Sequence, residues 1–390
     1  MPVVIASAVR TAIGAFQGAF ASVPAPALGA AAIRAAVERA AVAPEDVDVV
    51  FMGQVLAAGA GQAPARQAAL GAGLLERTPT VTLNKMCGSG LEAIVQGWRA
   101  ITVGDAQVVV AGGQESMSQA PYVVPGARAG LRLGDGVLVD TILRDGLLDA
   151  FDGRHMGSCA EGCAVEYQIA RADQDAYAAR SYRRAQAATE DGRAANEIVP
   201  FEIEGRKGSV VVDADEGPAK VDFDKLPNLR PAFDKTGTIT AGNASTLNDG
   251  AAAVVLMDED EATKRGTPVR ARIVGHASHA QAPADFATAP IGAMRALFDR
   301  IGWAPEDVDV FEINEAFAVV PMAAAREFGI DEERLNVLGG AVALGHPIGA
   351  SGARIVVTLL NALELSGGRR GVAAICIGGG EAWALAVERV

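Results

Sequence analysis

Nucleophilic catalysis through sulfur needs a thiol, a base and donors for the charge that develops on oxygen, and this 390-residue chain has a candidate setting for each. Cys87 stands in NKMCGSGLEA, between an extended run and an apolar helical run, with Gly88 and Gly90 clearing space beside it. At a helix start, unpaired backbone N–H groups and the positive end of the macrodipole stabilise a thiolate, which makes this cysteine a candidate nucleophile. A lone cysteine is more often a small buried apolar residue, so the reading needs a base nearby. Of the four histidines, His155, His276, His279 and His346, the last sits in GGAVALGHPIGASG, where Gly345 and Pro347 restrict the backbone. Its competing role is a polar loop residue that caps the next helix. Cys376 ends a strand-like run in AICIGGGEA; without its neighbours it reads as a core cysteine. The three glycines from Gly378 to Gly380 leave backbone N–H groups free to approach an oxyanion. Asn314 in FEINEAFA can orient a water or a carbonyl and is unremarkable alone.

Other chemistries lack their signatures. There is no GxSxG elbow, no GxxxxGK phosphate loop, no HExxH and no GxGxxG after a strand. His155, Cys159 and Cys163 recur every four residues, but three ligands on one helix do not suit tetrahedral zinc, and no metal is expected.

The elements that must position these groups repeat. APEDVDV occurs at Ala43 and again at Ala304, an offset of 261; Ser89-Gly90 and Ser351-Gly352 open two apolar helices at an offset of 262; VVVAGG from 108 matches AICIGG from 374 at 266. The alternative is chance likeness between Ala- and Val-rich segments. At the 262 offset Cys87 corresponds to Gly349, so a pseudo-twofold packing of the halves brings the His346 turn to the Cys87 turn. Strands alternating with helices predict mostly parallel sheet covered on both faces, with a helix over 89–103 stopping at Gly104. From about 118 to 248 the texture changes to polar loops, a helix from Asp173 to Asp191, and the cations Arg128, Arg132, Arg206, Lys207, Lys220, Lys225, Arg230 and Lys235. This segment reads as an insertion on the first half, either an ordinary solvated excursion or a lid for an anionic substrate.

A formal charge of −13 argues against nucleic acid and acidic membranes as partners, and a chain that is half apolar with 21% charged residues suits small-residue packing around covered strands. Four cysteines with no CxxC pair imply reduced thiols and a cytoplasmic setting. The start, MPVVIASAVRTAIGAF, has no secretory pattern, and no apolar run of about 18 residues occurs.

With these residues assembled, the chain resembles the thiolases over essentially its whole length, through RTAIGAF, NKMCGSG, VVVAGGQESMS, RHMG, AGNAS, NDGAAA, NEAFA, GGAVALGHPIGASGAR and CIGGG. The resemblance implies a five-layered αβαβα fold of two βαβαβαββ halves, at 1–118 plus 249–268 and at 269–390, with a loop domain at 119–248. It implies a ping-pong Claisen condensation of acyl-CoA thioesters, or thiolysis in reverse, with acetyl-CoA as the expected substrate. Cys87 is then acylated, His346 activates it, and Cys376 moves the α-proton. His346 with a water held by Asn314 forms one oxyanion site, and the N–H groups of Cys87 and Gly378 form the other. Coenzyme A falls on Leu147, His155, Met156, Leu229, Phe233, Ala241, Ser245, Ala316 and Phe317, with Lys220 as a phosphate partner although EGPAKVDF departs from the family's Arg-containing run. Phe286, in place of the family's Met, and Glu381-Ala382-Trp383, in place of small residues, leave longer acyl chains as the alternative specificity. Acyl-CoA and CoA are substrates rather than cofactors, none of which is expected, and the family habit is a homodimer or homotetramer. The rivals are a decarboxylating ketoacyl-synthase-type enzyme, which uses one cysteine, and a non-catalytic CoA-binding scaffold.

Overall fold

A computed structural model describes residues 2–205 and 208–390; Arg206 and Lys207, two of the cations of the insertion, lie outside the described residues. The first half runs β1 (Val3–Thr11), α1 (Ala25–Arg39), β2 (Val49–Gly53), α2 (Pro64–Gly71), β3 (Thr80–Leu83), α3 (Ser89–Thr102) and β4 (Val108–Ser116). Residues 117–247 follow, carrying α4 (Met156–Glu166) and α5 (Arg171–Glu190), before β5 (Asn248–Asp258) closes the half. The second half runs β6 (Ala271–Ala280), α6 (Ala289–Ile301), β7 (Val310–Ile313), α7 (Val319–Phe328), α8 (Ile348–Ser366), β8 (Arg370–Ile377) and β9 (Glu381–Arg389).

The strands are ordered β3-β2-β4-β5-β1-β6-β9-β8-β7, so the duplication is visible as two mirrored runs meeting where β1 pairs with β6. In each half one strand is parallel to the next, β2 to β4 and β7 to β8, and the last strand turns back antiparallel. The second half has no full counterpart of β3; its place is held by a single bridge between Phe311 and Leu335. Register refines the repeat. Val49 faces Val109 and Val310 faces Gly371, so the β4 and β8 strands correspond at 262, not at the 266 suggested by matching VVVAGG to AICIGG.

Side-chain parity along the strands builds the layers, because alternate residues go to opposite faces. Val108 and Val110 pack outward with Leu28 and Ile33 of α1, while Val109 packs inward with Leu91 and Ile94 of α3. The inner cluster also takes Ile355, Leu359 and Leu363 of α8 and Ile375 and Ile377 of β8. The outer face of the second half covers Phe311 and Ala374 with Leu297 of α6 and Val319 of α7. The result is five layers, αβαβα, with α3 and α8 as the middle one. The apolar length of α8 has this cause: nearly all of it lies in the core.

Where α3 and α8 cross, side chains are missing. A Cβ on Gly90 would stand 2.7 Å from the backbone N of Ala353, and a Cβ on Gly352 would stand 2.5 Å from the backbone N of Leu91. The two glycines are repeat equivalents, so the crossing lies on the pseudo-twofold. Since neither backbone can yield cheaply, Gly90→Ala is expected to cost about 1–3 kcal/mol by overpacking, seen as a lowered denaturation midpoint. Gly162→Ala, in α4 with nothing within 4 Å of the added carbon, should leave it unchanged or slightly raised.

Candidate active site

The turn before α3 is built to present one side chain. Met86 adopts φ 46°, a left-handed conformation that costs a non-glycine residue energy and persists only where neighbours enforce it. They do so here: Met86 N–H donates to Asn84 Oδ1 (3.0 Å), Lys85 N–H to Ser89 Oγ (2.8 Å), and Ser89 Oγ–H to the Met86 carbonyl (2.6 Å). Cys87 emerges from this turn, and Gly88 lets Ile377 close over it, since a Cβ there would meet Ile377 Cδ1 at 2.5 Å.

The turn before α8 comes to the same place. Gly345 at φ 109° passes Asn248, whose Oδ1 accepts from His346 N–H (3.0 Å) while its Nδ2 donates to the Gly14 carbonyl (2.9 Å). His346 Nδ1 lies 2.6 Å from Ser351 Oγ, and Ser351 Oγ lies 2.9 Å from the Pro347 carbonyl. A hydroxyl has one proton, so both contacts are hydrogen bonds only if Ser351 donates to Pro347 and accepts from Nδ1–H. That assignment leaves Nε2 as a lone pair, and Nε2 has no partner among the described residues.

Cys87, His346 and Gly378 line one cavity of about 650 Å³. The other expected residues on its wall are Leu147, His155, Met156, Lys220, Phe233, Ala241, Ser245, Phe286, Ala316 and Phe317. Leu229 is set back: its carbonyl accepts from Arg171 (3.0 Å) and its side chain abuts Gly242. Cys376 and Asn314 are fully buried and do not reach the wall. Cys376 points to the outer cluster of the second half, with Met156 and Cys163, and is close enough to Cys87 for a charge on that sulfur to act on it. Asn314 Oδ1 accepts from Arg354 (3.1 Å), leaving its Nδ2–H group without a protein acceptor among the described residues. Of the insertion's cations, Lys220 alone among the described residues reaches the wall, and it is already paired with Glu216 at 3.3 Å. His155 caps α4, its Nδ1 accepting from Gly157 N–H (3.0 Å), and stacks on Phe233 with ring centroids 4.6 Å apart. Cys159 and Cys163 turn into the core, and no metal-holding cluster is found among the described residues.

Burial sets the charges. It pushes the Cys87 thiol up to about 11, although the N–H groups of Gly378 and Cys87 itself favour the thiolate and Glu115 opposes it. Burial, then the Arg354 charge, push His346 down to about 3. Burial and the neighbouring Cys87 hold Cys376 well above an ordinary thiol. For Cys87 the direction runs against the expected helix-stabilised thiolate, since two backbone donors do not outweigh desolvation of a sulfur that is only partly exposed on the wall. Sequence reasoning also missed Asn248, Ser351, Arg354 and Glu115. The only signal for Ser351 was its place at a helix start, shared with Ser89.

A duplicated α/β fold that brings a thiol and an imidazole to one cavity, with a second thiol buried close by, fits the class of cysteine-dependent acyltransferases. The chain belongs to the thiolase family: residues 3–260 match the thiolase N-terminal domain and residues 267–389 the thiolase C-terminal domain. It is 52% identical over 389 residues to an acetyl-CoA acetyltransferase of Pseudomonas aeruginosa, covering 99% of both chains. To the acetyl-CoA acetyltransferase of Cupriavidus necator it is 51% identical, again covering 99% of each. To a probable acetyl-CoA acetyltransferase of Dictyostelium discoideum it is also 51% identical, over all of this chain and 94% of that one.

A neutral Cys87 has a kinetic signature, because only the thiolate is alkylated. In the free protein, alkylation of Cys87 by iodoacetamide should accelerate about tenfold per pH unit beyond the ordinary thiol pKa of about 8.5, levelling off at about 11. A plateau already reached at neutral pH would contradict the neutral resting state.

Proposed function

We infer that the protein is a thiolase that condenses two acetyl-CoA molecules, and cleaves acetoacetyl-CoA in reverse, through an acyl-Cys87 intermediate. The observation that carries this reading is the pair of sulfurs, Cys87 at the cavity and the buried Cys376 near it, with one imidazole on the same wall whose Nε2 has no partner among the described residues. A decarboxylating synthase has no use for the second sulfur.

The chemistry follows from these positions. The Cys87 proton goes to His346 Nε2 as the sulfur attacks the thioester carbonyl. The bond from carbonyl carbon to CoA sulfur breaks, and the departing CoA thiolate recovers that proton. Acylation leaves Cys87 unable to ionise, so no thiolate there can oppose the loss of the Cys376 proton in the second half-reaction. Cys376 passes its proton to His346 Nε2, takes one from the α-carbon of the second thioester, and the enolate attacks the acyl carbonyl. Cys87 leaves as thiolate and recovers its proton from His346. Developing oxyanions meet the Gly378 and Cys87 N–H groups on one side and, on the other, His346 Nε2–H while it carries the transferred proton, together with a water held by Asn314, each donor worth about 3 kcal/mol.

Acetyl preference is supported by the crowding of the wall. Met156, Phe286 and Phe317 are bulky residues of that wall, and Phe286 packs edge-on to Phe317 with ring centroids 6.3 Å apart. The apolar arm of 120–141, a hairpin pairing Tyr122 with Asp140 and leaving Leu131, Leu133 and Leu138 exposed, supports a homodimer or homotetramer. Free cysteines fit a cytoplasmic setting, and acyl-CoA and CoA are read as the only small molecules required.

Cys87→Ala should abolish turnover and acyl uptake, whereas Cys376→Ala should still take up label from acetyl-CoA and lose carbon–carbon bond formation; normal condensation by the second variant would refute its role. Phe286→Ala should raise kcat/KM for longer 3-ketoacyl-CoA thioesters relative to acetoacetyl-CoA. The ratio would stay fixed if Phe286 were not part of the acyl wall. Light scattering at micromolar concentration should give a dimer or tetramer, and a monomer would remove that assignment.

A further inference from the structure

The carboxylate of Glu115, at the end of β4, is fully buried and takes no part in the steps above. No Lys or Arg is paired with it among the described residues. It is held by three backbone donors: Gly349 N–H (2.9 Å) and Val55 N–H (3.0 Å) on Oε2, and Leu56 N–H (3.2 Å) on Oε1. Gly349 lies in the first turn of α8, three residues after His346. Val55 follows β2, and its carbonyl accepts from Asn84 Nδ2 (3.4 Å), the residue whose Oδ1 holds Met86 in its left-handed turn. One carboxylate therefore joins the turn bearing the base to the turn bearing the nucleophile. Room for it exists because the repeat equivalent of Cys87 is a glycine: a Cβ at Gly349 would stand 2.7 Å from Glu115 Oε2. Burying an ionisable group against backbone alone is costly, so its presence here calls for a function.

We propose that Glu115 is a positioning residue for the His346–Cys87 pair, setting the imidazole against the thiol through the first turn of α8. The inference rests on the thiolase reading. A carboxamide cannot satisfy three N–H donors, because one of its two heads is itself a donor. Glu115→Gln should lower kcat for acetoacetyl-CoA thiolysis about ten- to a hundredfold per site titrated with acetyl label, as for a misplacement of about 1 Å. KM should change by less than about twofold, since the substrate wall is untouched. In a His346→Ala background the same substitution should leave the residual rate unchanged, because the group it positions is gone. An equal fold loss in both backgrounds, or an unchanged kcat per titrated site in the wild-type background, overturns the proposal. Should Glu115→Gln not fold, Glu115→Asp, which keeps the charge on a shorter stem, carries the same comparison with a smaller loss. A wild-type protein without thiolysis would sink the enzyme reading instead. A crystal structure of the variant then decides the positioning separately: Gly349 and the His346 ring should shift away from the Cys87 turn, and an unmoved ring overturns it.

Discussion

Two helices touching backbone to backbone is the constraint on which the rest of this structure depends. Gly90 of α3 and Gly352 of α8 leave no side chain at the crossing, so the two halves are locked at a point that is equivalent in both. Cys87 lies three residues before the first glycine and His346 six before the second, close enough along each chain for the crossing to fix where both arrive. A wider crossing would separate base from thiol, whatever the loops did. Gly113 serves the same end, since a Cβ there would collide with the Ala350 Cα at 2.9 Å.

Around that crossing the protein buries charge in amounts that make little sense as stabilisation. Glu315 accepts from Tyr177 Oη (2.8 Å), Ser181 Oγ (2.7 Å), Asn336 Nδ2 (2.9 Å) and Val342 N–H (3.0 Å). Those bonds fasten α5 of the insertion to the two loops that carry Asn314 and His346. Arg10 is held by Glu197 (2.6 Å) and, through both ends of its guanidinium, by Asp215 (2.7 and 2.8 Å), tying β1 to the far end of the insertion. Apolar residues of equal volume would stabilise such sites as well or better, but would not fix direction. Arg354 adds an electrostatic role. Its guanidinium faces Glu312 and Asn314, and its charge helps to keep the His346 ring unprotonated and able to accept a proton.

The sequence was legible where local pattern decides the outcome. The apolar run AQVVVAGG reads as a buried strand and the stripe of Leu91, Ile94, Val95, Trp98 and Ile101 as a helix, which are β4 and α3, and Gly104 at φ 83° follows α3 where the helix is expected to stop. The helix expected from Asp173 to Asp191 runs from Arg171 to Glu190, since a first turn can form without a polar cap. Burial was not legible, and so the ionisation of Cys87 was misjudged: composition does not say which thiol loses water. Nor could partners be read when they are far apart in the chain. Asn248 meets His346 across 98 residues and Glu115 meets Gly349 across 234. Strand register was out of reach for the same reason, and similar strings of small residues slid the β8 match by four positions.

The departures from symmetry explain why a duplicated fold should be useful here at all. Ser89 and Ser351 are equivalent, and each braces the turn before its helix by donating to a backbone carbonyl, Met86 in one half and Pro347 in the other. In the second half alone the same hydroxyl also receives Nδ1–H of a histidine, so a structural brace has become the group that selects a tautomer. Cys87 answers to Gly349, and Glu115 answers to Ile377: the first half keeps the sulfur and the carboxylate, and the second keeps the empty space and the apolar cover, so that Ile377 closes over the Cys87 turn while Glu115 reaches the Gly349 turn. Cys87 and His346 are not repeat equivalents, since at the 262 offset His346 answers to Asn84. The twofold therefore brings the two turns together, and the departures from it leave one thiol–imidazole pair where strict symmetry would make two.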